Sequence, residues 1–349
     1  MAFATTSRPR GVKVKGLLGL ATALSFGLAV TGCSAAEDGK GKEGSATEQL
    51  NIVATTNVYG DIASSVAGEH GKVSSIISNA AQDPHSYEAT AKDKLAISKA
   101  DVVIINGGGY DYFAEQIIED LGDKAPTVVK SFEGEGHSHD HGHDHGEEGH
   151  DHDHGEEGHD HDHGHEGHSH EHGENEHVWY DLDHMEEFVG EVGEALAKAD
   201  PDNAKTYEEN ASKLAKEISD VTDSEDFKAA EKKLKGKSFM MTEPVPEALL
   251  DELGMEDGTP EGLSSAVEAG QEIPALVIKR AEDSLKQGKV QLFAFNSQTA
   301  DPQTKKLYES ARKAGVPTVD VTETIPEGKT FVEWMKDNVA AIAKAVDAK

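Results

Sequence analysis

Val102-Val103-Ile104-Ile105, closed by Gly107-Gly108-Gly109, is the stretch on which the fold turns. Four consecutive β-branched apolar residues before a glycine turn predict a strand buried on both faces, as in a parallel sheet covered by helices. Its neighbours agree. Lys92 to Lys99 before it and Tyr112 to Leu121 after it read as helices, and Thr127-Val128-Val129 as a short strand. Upstream, Leu50-Asn51-Ile52-Val53-Ala54 reads as a strand, Val58 to Val66 as a helix and Val73 to Ile77 as another strand. This β-α rhythm implies a parallel sheet. A second such region starts near Lys237. There Ser238 to Met241, Val290 to Phe295 and Thr318 to Val321 read as strands. Pro246 to Leu253, Ala275 to Lys286, Pro302 to Ala314 and Phe331 to Val346 read as helices. Between the regions, Asp183 to Ala199 carries Met185, Phe188, Val189, Val192 and Leu196 at helical spacing, and a second helix runs from Pro201 to about Val221. The expected fold is therefore α/β: two lobes, each a mainly parallel sheet flanked by helices, joined by a long helix. The boundaries expected are 49–182 for the first lobe, 183–235 for the connecting helices and 236–349 for the second.

Charge narrows the partners. The 349 residues carry 33 Lys+Arg against 66 Asp+Glu, a formal net charge of -33. Such a balance repels nucleic acid and anionic surfaces and attracts cations. The single cysteine, Cys33, excludes an intrachain disulfide and a multi-cysteine metal site. Any metal site in the folded body must use His, Asp and Glu.

Cys33 has a different use. Arg8, Arg10, Lys13 and Lys15 form a basic region, and Leu17 to Val30 is apolar but short for a membrane span. The run ends in Val30-Thr31-Gly32-Cys33, which resembles the bacterial lipoprotein signal, in which the cysteine is lipidated and becomes the new N-terminus. Residues 1–33 are thus expected to be a signal peptide and 34–48, of Gly, Ala, Ser and charge, a flexible tether. The chain is expected outside the cytoplasm, anchored to the bacterial cell membrane through Cys33.

Residues 137–172 interrupt the first lobe and hold most of the 19 histidines. These are His137, His139, His141, His143, His145, His150, His152, His154, His159, His161, His163, His165, His168, His170 and His172. The nonapeptide from His143 to Asp151 recurs identically at 152–160, with a looser copy from His161. With many glycines and no apolar periodicity, the loop at about 132–176 cannot bury a core and is expected to be disordered without metal. Imidazoles at every second position, with carboxylates between, suit several transition-metal ions bound at modest affinity. Chaperones and storage proteins carry such tracts too.

Better ligand candidates flank it. Asp83-Pro84-His85-Ser86-Tyr87-Glu88 follows the strand at 73–77, and Asn175-Glu176-His177-Val178-Trp179-Tyr180-Asp181 precedes a helix. Glu243 and Glu323 each follow a predicted strand. In open α/β sheets, ligands bind beyond the carboxyl ends of strands. His85, His177, Glu243 and Glu323 make a plausible four-ligand site for a divalent metal. Tyr87, Trp179 and Phe295 are expected in the core or the pocket wall.

These motifs resemble the solute-binding lipoproteins of zinc and manganese ABC transporters. Residues 83–88 match the family's first-ligand motif, followed by the Asp101-Val102 strand and the Asn106-Gly107 turn. Residues 175–181 match its second-ligand motif, with Glu176 in place of the usual Pro. The resemblance covers most of residues 50–349 and implies the metal-type periplasmic-binding-protein fold, with the metal in the cleft and limited closure about a rigid linker. It implies His85 and His177 as ligands from the first lobe. Thr242-Glu243-Pro244 aligns with the third ligand, commonly His in zinc members and Glu in manganese members. Val321-Thr322-Glu323-Thr324 aligns with the fourth, commonly Asp. The implied function is a receptor, expected to be monomeric, that binds Zn2+ and delivers it to ABC permease subunits. Mn2+ is the alternative ion, because two carboxylates suit it while the histidine tract favours zinc. A surface metal buffer or adhesin is the further alternative. No His-Glu-x-x-His or nucleophile elbow is present, so an enzyme is not expected.

Overall fold

The computed structural model describes residues 49–79, 82–134 and 175–347. The expected signal peptide with Cys33, the tether and the histidine tract lie outside the described residues.

The first sheet contains β1 (Leu50–Thr56), β2 (Gly71–Ile77), β3 (Val102–Gly107) and β4 (Thr127–Phe132), in the order β2-β1-β3-β4. The second contains β5 (Ser238–Met241), β6 (Glu256–Asp257), β7 (Leu292–Asn296) and β8 (Thr318–Val321), in the order β6-β5-β7-β8. Every pairing is parallel. The two sheets share one topology, and in each the order reverses beside the first strand, where a crevice opens beyond the strand ends.

Alternation along the central strands explains the layers. Ile52, Ala54, Val102 and Ile104 enter one apolar cluster, while Val53, Val103 and Ile105 enter another on the opposite face with Ile97, Ala114 and Ile117. The second sheet repeats this: Phe239, Met241, Leu292 and Ala294 face inward, and Met240, Phe293 and Phe295 face outward. The inward residues of both sheets belong to one continuous cluster. It also takes in side chains of α1 (Asn57–Ala67), α4 (Leu182–Ala199), α5 (Ala204–Thr222) and α11 (Phe331–Asp347). A core shared this way resists independent movement of the halves, because packed interiors deform little.

The connection between the sheets is α4, α5 and α6 (Glu225–Leu234). Asp181 caps α4 by accepting from the His184 backbone N–H. Gly193 of α4 meets α5 so closely that a Cβ there would lie 2.6 Å from Ala211 Cβ. The 19 residues of α5 span about 28 Å at about 1.5 Å per residue. Pro201 begins a short 3-10 turn, Pro201–Asn203, ahead of α5 rather than the helix itself. No described helix is long and apolar enough to cross a membrane.

The remaining helices cover the sheets: α2 (Ala91–Ser98) and α3 (Tyr112–Leu121) in the first half, then α7 (Glu247–Glu252), α8 (Ser264–Glu268), α9 (Ala275–Lys286) and α10 (Pro302–Lys313) in the second. The apolar spacing of the sequence marks none of α6, β6 and α8.

Candidate metal centre

His85 comes from the loop after β2. Asp83 shapes that loop, its carboxylate accepting from the His85 backbone N–H at 3.0 Å and the Ser86 hydroxyl at 2.7 Å. His177 precedes a 3-10 turn, Val178–Tyr180, and is 1% exposed. Glu323 stands two residues beyond β8 and is fully buried. The structure brings these three together: one ligand atom from each lies within 4.8 Å of the others.

The hydrogen bonding prepares both imidazoles as ligands. His177 Nδ1 sits 2.9 Å from Asn175 Oδ1, an acceptor only, so Nδ1 carries the proton and Nε2 keeps its lone pair. His85 Nδ1 sits 3.1 Å from Glu176 Oε1, which holds the proton on Nδ1 and leaves Nε2 as the nitrogen that can give up a proton to a cation. Both Nε2 atoms are buried without a hydrogen-bond partner among the described residues. His85 Nε2 lies 3.4 Å from Glu323 Oε2, within ion-pair reach but without hydrogen-bond alignment. Buried nitrogens are left unpaired rarely, and a cation between the two Nε2 atoms and a carboxylate, displacing the His85 proton, resolves the cost.

Glu243, two residues beyond β5, is buried but stands outside that group of three. Asn296, at the end of β7, ties it to the group: its Nδ2 donates to Glu243 Oε2 at 2.5 Å and to Glu323 Oε1 at 2.7 Å. Thr299 Oγ1 donates to the same Glu243 oxygen. Tyr110, just after the glycine turn, donates to Glu323 Oε2 at 3.0 Å and packs edge-on against His85. Strand ends point to Glu243 and Glu323, and the same rule points to Tyr110 and Asn296. Nothing in the sequence marks Glu268, whose Oε1 lies 3.7 Å from His177 Nδ1. Trp179 packs on Tyr110 and His177 in the wall. Phe295 lies in the outer core, while Tyr87 bonds Asp93 near the start of α2, away from the site.

A cleft of about 570 Å³ opens beside His85, lined by Asn175 and Glu176 on one side and Glu247, Asp257, Glu261 and Glu268 on the other. Carboxylates on both walls concentrate cations there.

Charge at the centre is finely set. Burial opposes a proton on His85, but Glu176 and Glu323 outweigh it and raise the imidazole to about 11. Burial drives His177 down to about 3. Burial resists ionisation of Glu323, yet His85, His177 and Asn296 hold it below the usual carboxylate range. Burial raises Glu243 to about 7 despite the Thr299 bond. Below about pH 11 the His85 ring is therefore protonated, and a metal ion that takes Nε2 as a ligand would have to displace that proton. Binding is expected to release about one proton per ion from His85 between pH 7 and 8, with affinity rising about tenfold per pH unit, and more steeply below pH 7 as Glu243 adds its own. The dependence thus spans the neutral range rather than following ordinary histidine titration near pH 6.5. Titration calorimetry in buffers of different ionisation enthalpy measures the release; a buffer-independent enthalpy would contradict it.

Over residues 52–345 the chain matches the family described as zinc-uptake complex component A, periplasmic. The chain belongs to this family. The manganese ABC transporter substrate-binding lipoprotein ScaA of Streptococcus gordonii is 26% identical over 337 residues, covering 91% of this chain and 96% of that protein. The manganese-binding lipoprotein MntA of Halalkalibacterium halodurans is 25% identical over 194 residues, 56% of this chain and 53% of that protein. The solved structure of the periplasmic zinc-binding protein TroA from Treponema pallidum shares the fold, with a TM-score of 0.65 at 17% identity, covering 86% of this chain and 99% of that one. The chain is thus a member of the metal ABC transporter substrate-binding proteins, which are solute-binding receptors rather than enzymes.

Proposed function

We propose that this zinc-uptake family member is the extracytoplasmic receptor of a metal importer, and that it captures Zn2+ at His85, His177, Glu243 and Glu323 for delivery to ABC permease subunits. The observation that carries the reading is the pair of buried Nε2 atoms, without a hydrogen-bond partner among the described residues, beside the Glu323 carboxylate. Two imidazoles with carboxylates form a donor set that zinc accepts readily, and at equal sites zinc binds more tightly than manganese. In this reading Cys33 is lipidated after removal of the signal peptide, 34–48 tethers the monomer to the membrane, and the histidine tract collects ions for the centre. The two lobes, 49–182 and 236–349, each contribute ligands across helices 183–235.

Manganese is the second reading. Two carboxylates at the centre favour it, and relatives such as ScaA are named for it. The deciding experiment is a zinc-against-manganese competition titration on protein lacking residues 137–172, with the metal content measured afterwards. Zinc is expected to displace manganese at equimolar concentration. Retention of manganese would reassign the cargo. Failure to bind either ion tightly would remove the receptor reading altogether.

A further inference from the structure

Two successive residues, Asn175 and Glu176, do matching work on the two imidazoles. Asn175 holds Nδ1 of His177, and Glu176 holds Nδ1 of His85. The supports for His177 are redundant: it is fully enclosed, and Asn175 also accepts from its backbone N–H at 3.0 Å. His85 is different. Its side chain is 18% exposed. The bonds from Asp83 set the loop backbone and leave the ring free to turn. Tyr110 meets the ring edge-on and gives no polar register. The remaining polar contacts to the ring come from two carboxylates on opposite nitrogens, Glu323 at Nε2 and Glu176 at Nδ1. Glu323 lies on the metal side, so Glu176 alone acts from behind.

Glu176 is well mounted for this. Its carbonyl accepts from Asn106 Nδ2 at 3.0 Å. Asn175 beside it donates to the Pro244 carbonyl at 2.8 Å and to Glu247 Oε2 at 3.1 Å. The carboxylate therefore projects from a segment pinned to β3 on one side and to the loop after β5 and the start of α7 on the other. An acceptor on the far nitrogen of a ligating imidazole fixes the tautomer and raises the donor strength of the near nitrogen.

We propose that Glu176 is a positioning residue for metal capture, holding the His85 ring so that Nε2 presents its lone pair to the ion. This rests on the assignment of His85 as a ligand. The test measures zinc affinity by chelator competition at substoichiometric zinc, in the full chain and in protein lacking residues 137–172, and the outcomes are read in the latter, where no tract imidazole masks a loss at the centre. The variants are Glu176→Ala, Glu176→Gln, His85→Ala and the His85→Ala/Glu176→Ala double. Glu176→Ala is expected to weaken binding about 10- to 100-fold. Glu176→Gln keeps an acceptor oxygen at the same reach and is expected to recover most of that loss, which also guards against a folding defect in the alanine variant. The double variant is expected to bind no more weakly than His85→Ala alone, since the residue acts through the ring. Glu176→Ala within twofold of the unaltered chain overturns the proposal. So does a Glu176→Ala loss that persists undiminished beside His85→Ala, because the carboxylate would then act on the ion directly. His85→Ala without effect overturns the ligand assignment, and this inference with it.

Discussion

His177→Ala is expected to weaken zinc binding about a hundredfold or more in protein lacking residues 137–172. A four-ligand zinc site supplies about 10–16 kcal/mol in apparent free energy. One ligand's share is about 3 kcal/mol, which corresponds to about a hundredfold in affinity. Further costs push the same way. The ring is buried against Trp179, Tyr110 and His85, so its removal also loosens the wall that holds the other imidazole. Asn175 Oδ1 loses its ring partner. Deleting the tract matters to the design, because its many imidazoles would mask the loss at the centre. Chelator competition reads the affinity, and circular dichroism of the metal-free variant checks that it folds. Binding within about threefold of the parent would exclude His177 from the site.

The sequence made the fold legible where local and tertiary preferences agree. β1 and β3 carry the unbroken apolar runs Ile52-Val53-Ala54 and Val102-Val103-Ile104-Ile105 because both faces are covered, and these runs are legible directly. The region after Val221 was harder. Thr222-Asp223-Ser224 breaks the apolar spacing, and Glu225–Leu234 is rich in charge. Yet α6 has a local signal: Ser224 Oγ accepts from the Phe227 backbone N–H at 3.1 Å, acids fill the first turn and lysines the last. Weighing caps beside apolar period would have found it. β6 is two acidic residues whose place is set by pairing with β5, and nothing local predicts it.

The centre divides in the same way. The sequence motifs led to His85 and His177, and the strand-end rule led to Glu243 and Glu323. The structure gathers His85, His177 and Glu323 and links Glu243 to them through Asn296. What the chain alone does not tell is how each candidate ligand is held. Tyr110 and Glu323 are 213 positions apart, so their contact exists only after both sheets have docked on the shared core. Gln298 Nε2 likewise reaches from one half to the Gln82 carbonyl of the other at 2.9 Å. These bonds make the centre a product of the assembled body.

Glu323 is where that dependence concentrates, and Glu323→Gln is expected to cost about a hundredfold or more in zinc affinity and still more in manganese affinity. The substitution preserves size but removes the anion that faces both imidazoles. Zinc retains two nitrogen donors, whereas manganese depends more on hard oxygen ligands, so the zinc-to-manganese ratio should rise. The amide also mismatches its surroundings. Tyr110 and Asn296 both donate to Glu323, and glutamine offers only one acceptor oxygen, so one buried donor loses its partner at about 1–3 kcal/mol. Because the folded state lowers the Glu323 pKa, the carboxylate contributes stability above its unfolded pKa, lost as pH falls through the folded one. At pH 7 that contribution is present, so the metal-free variant should melt at a lower temperature than the parent. His85 would lose the carboxylate beside Nε2 and keep Glu176 at Nδ1, its proton would be held less tightly, and fewer protons should leave per ion bound. Competition titrations with both ions, calorimetry in two buffers and metal-free melting curves read these effects separately. Unchanged zinc affinity, or a shift in favour of manganese, would show that Glu323 organises the cleft without touching the ion.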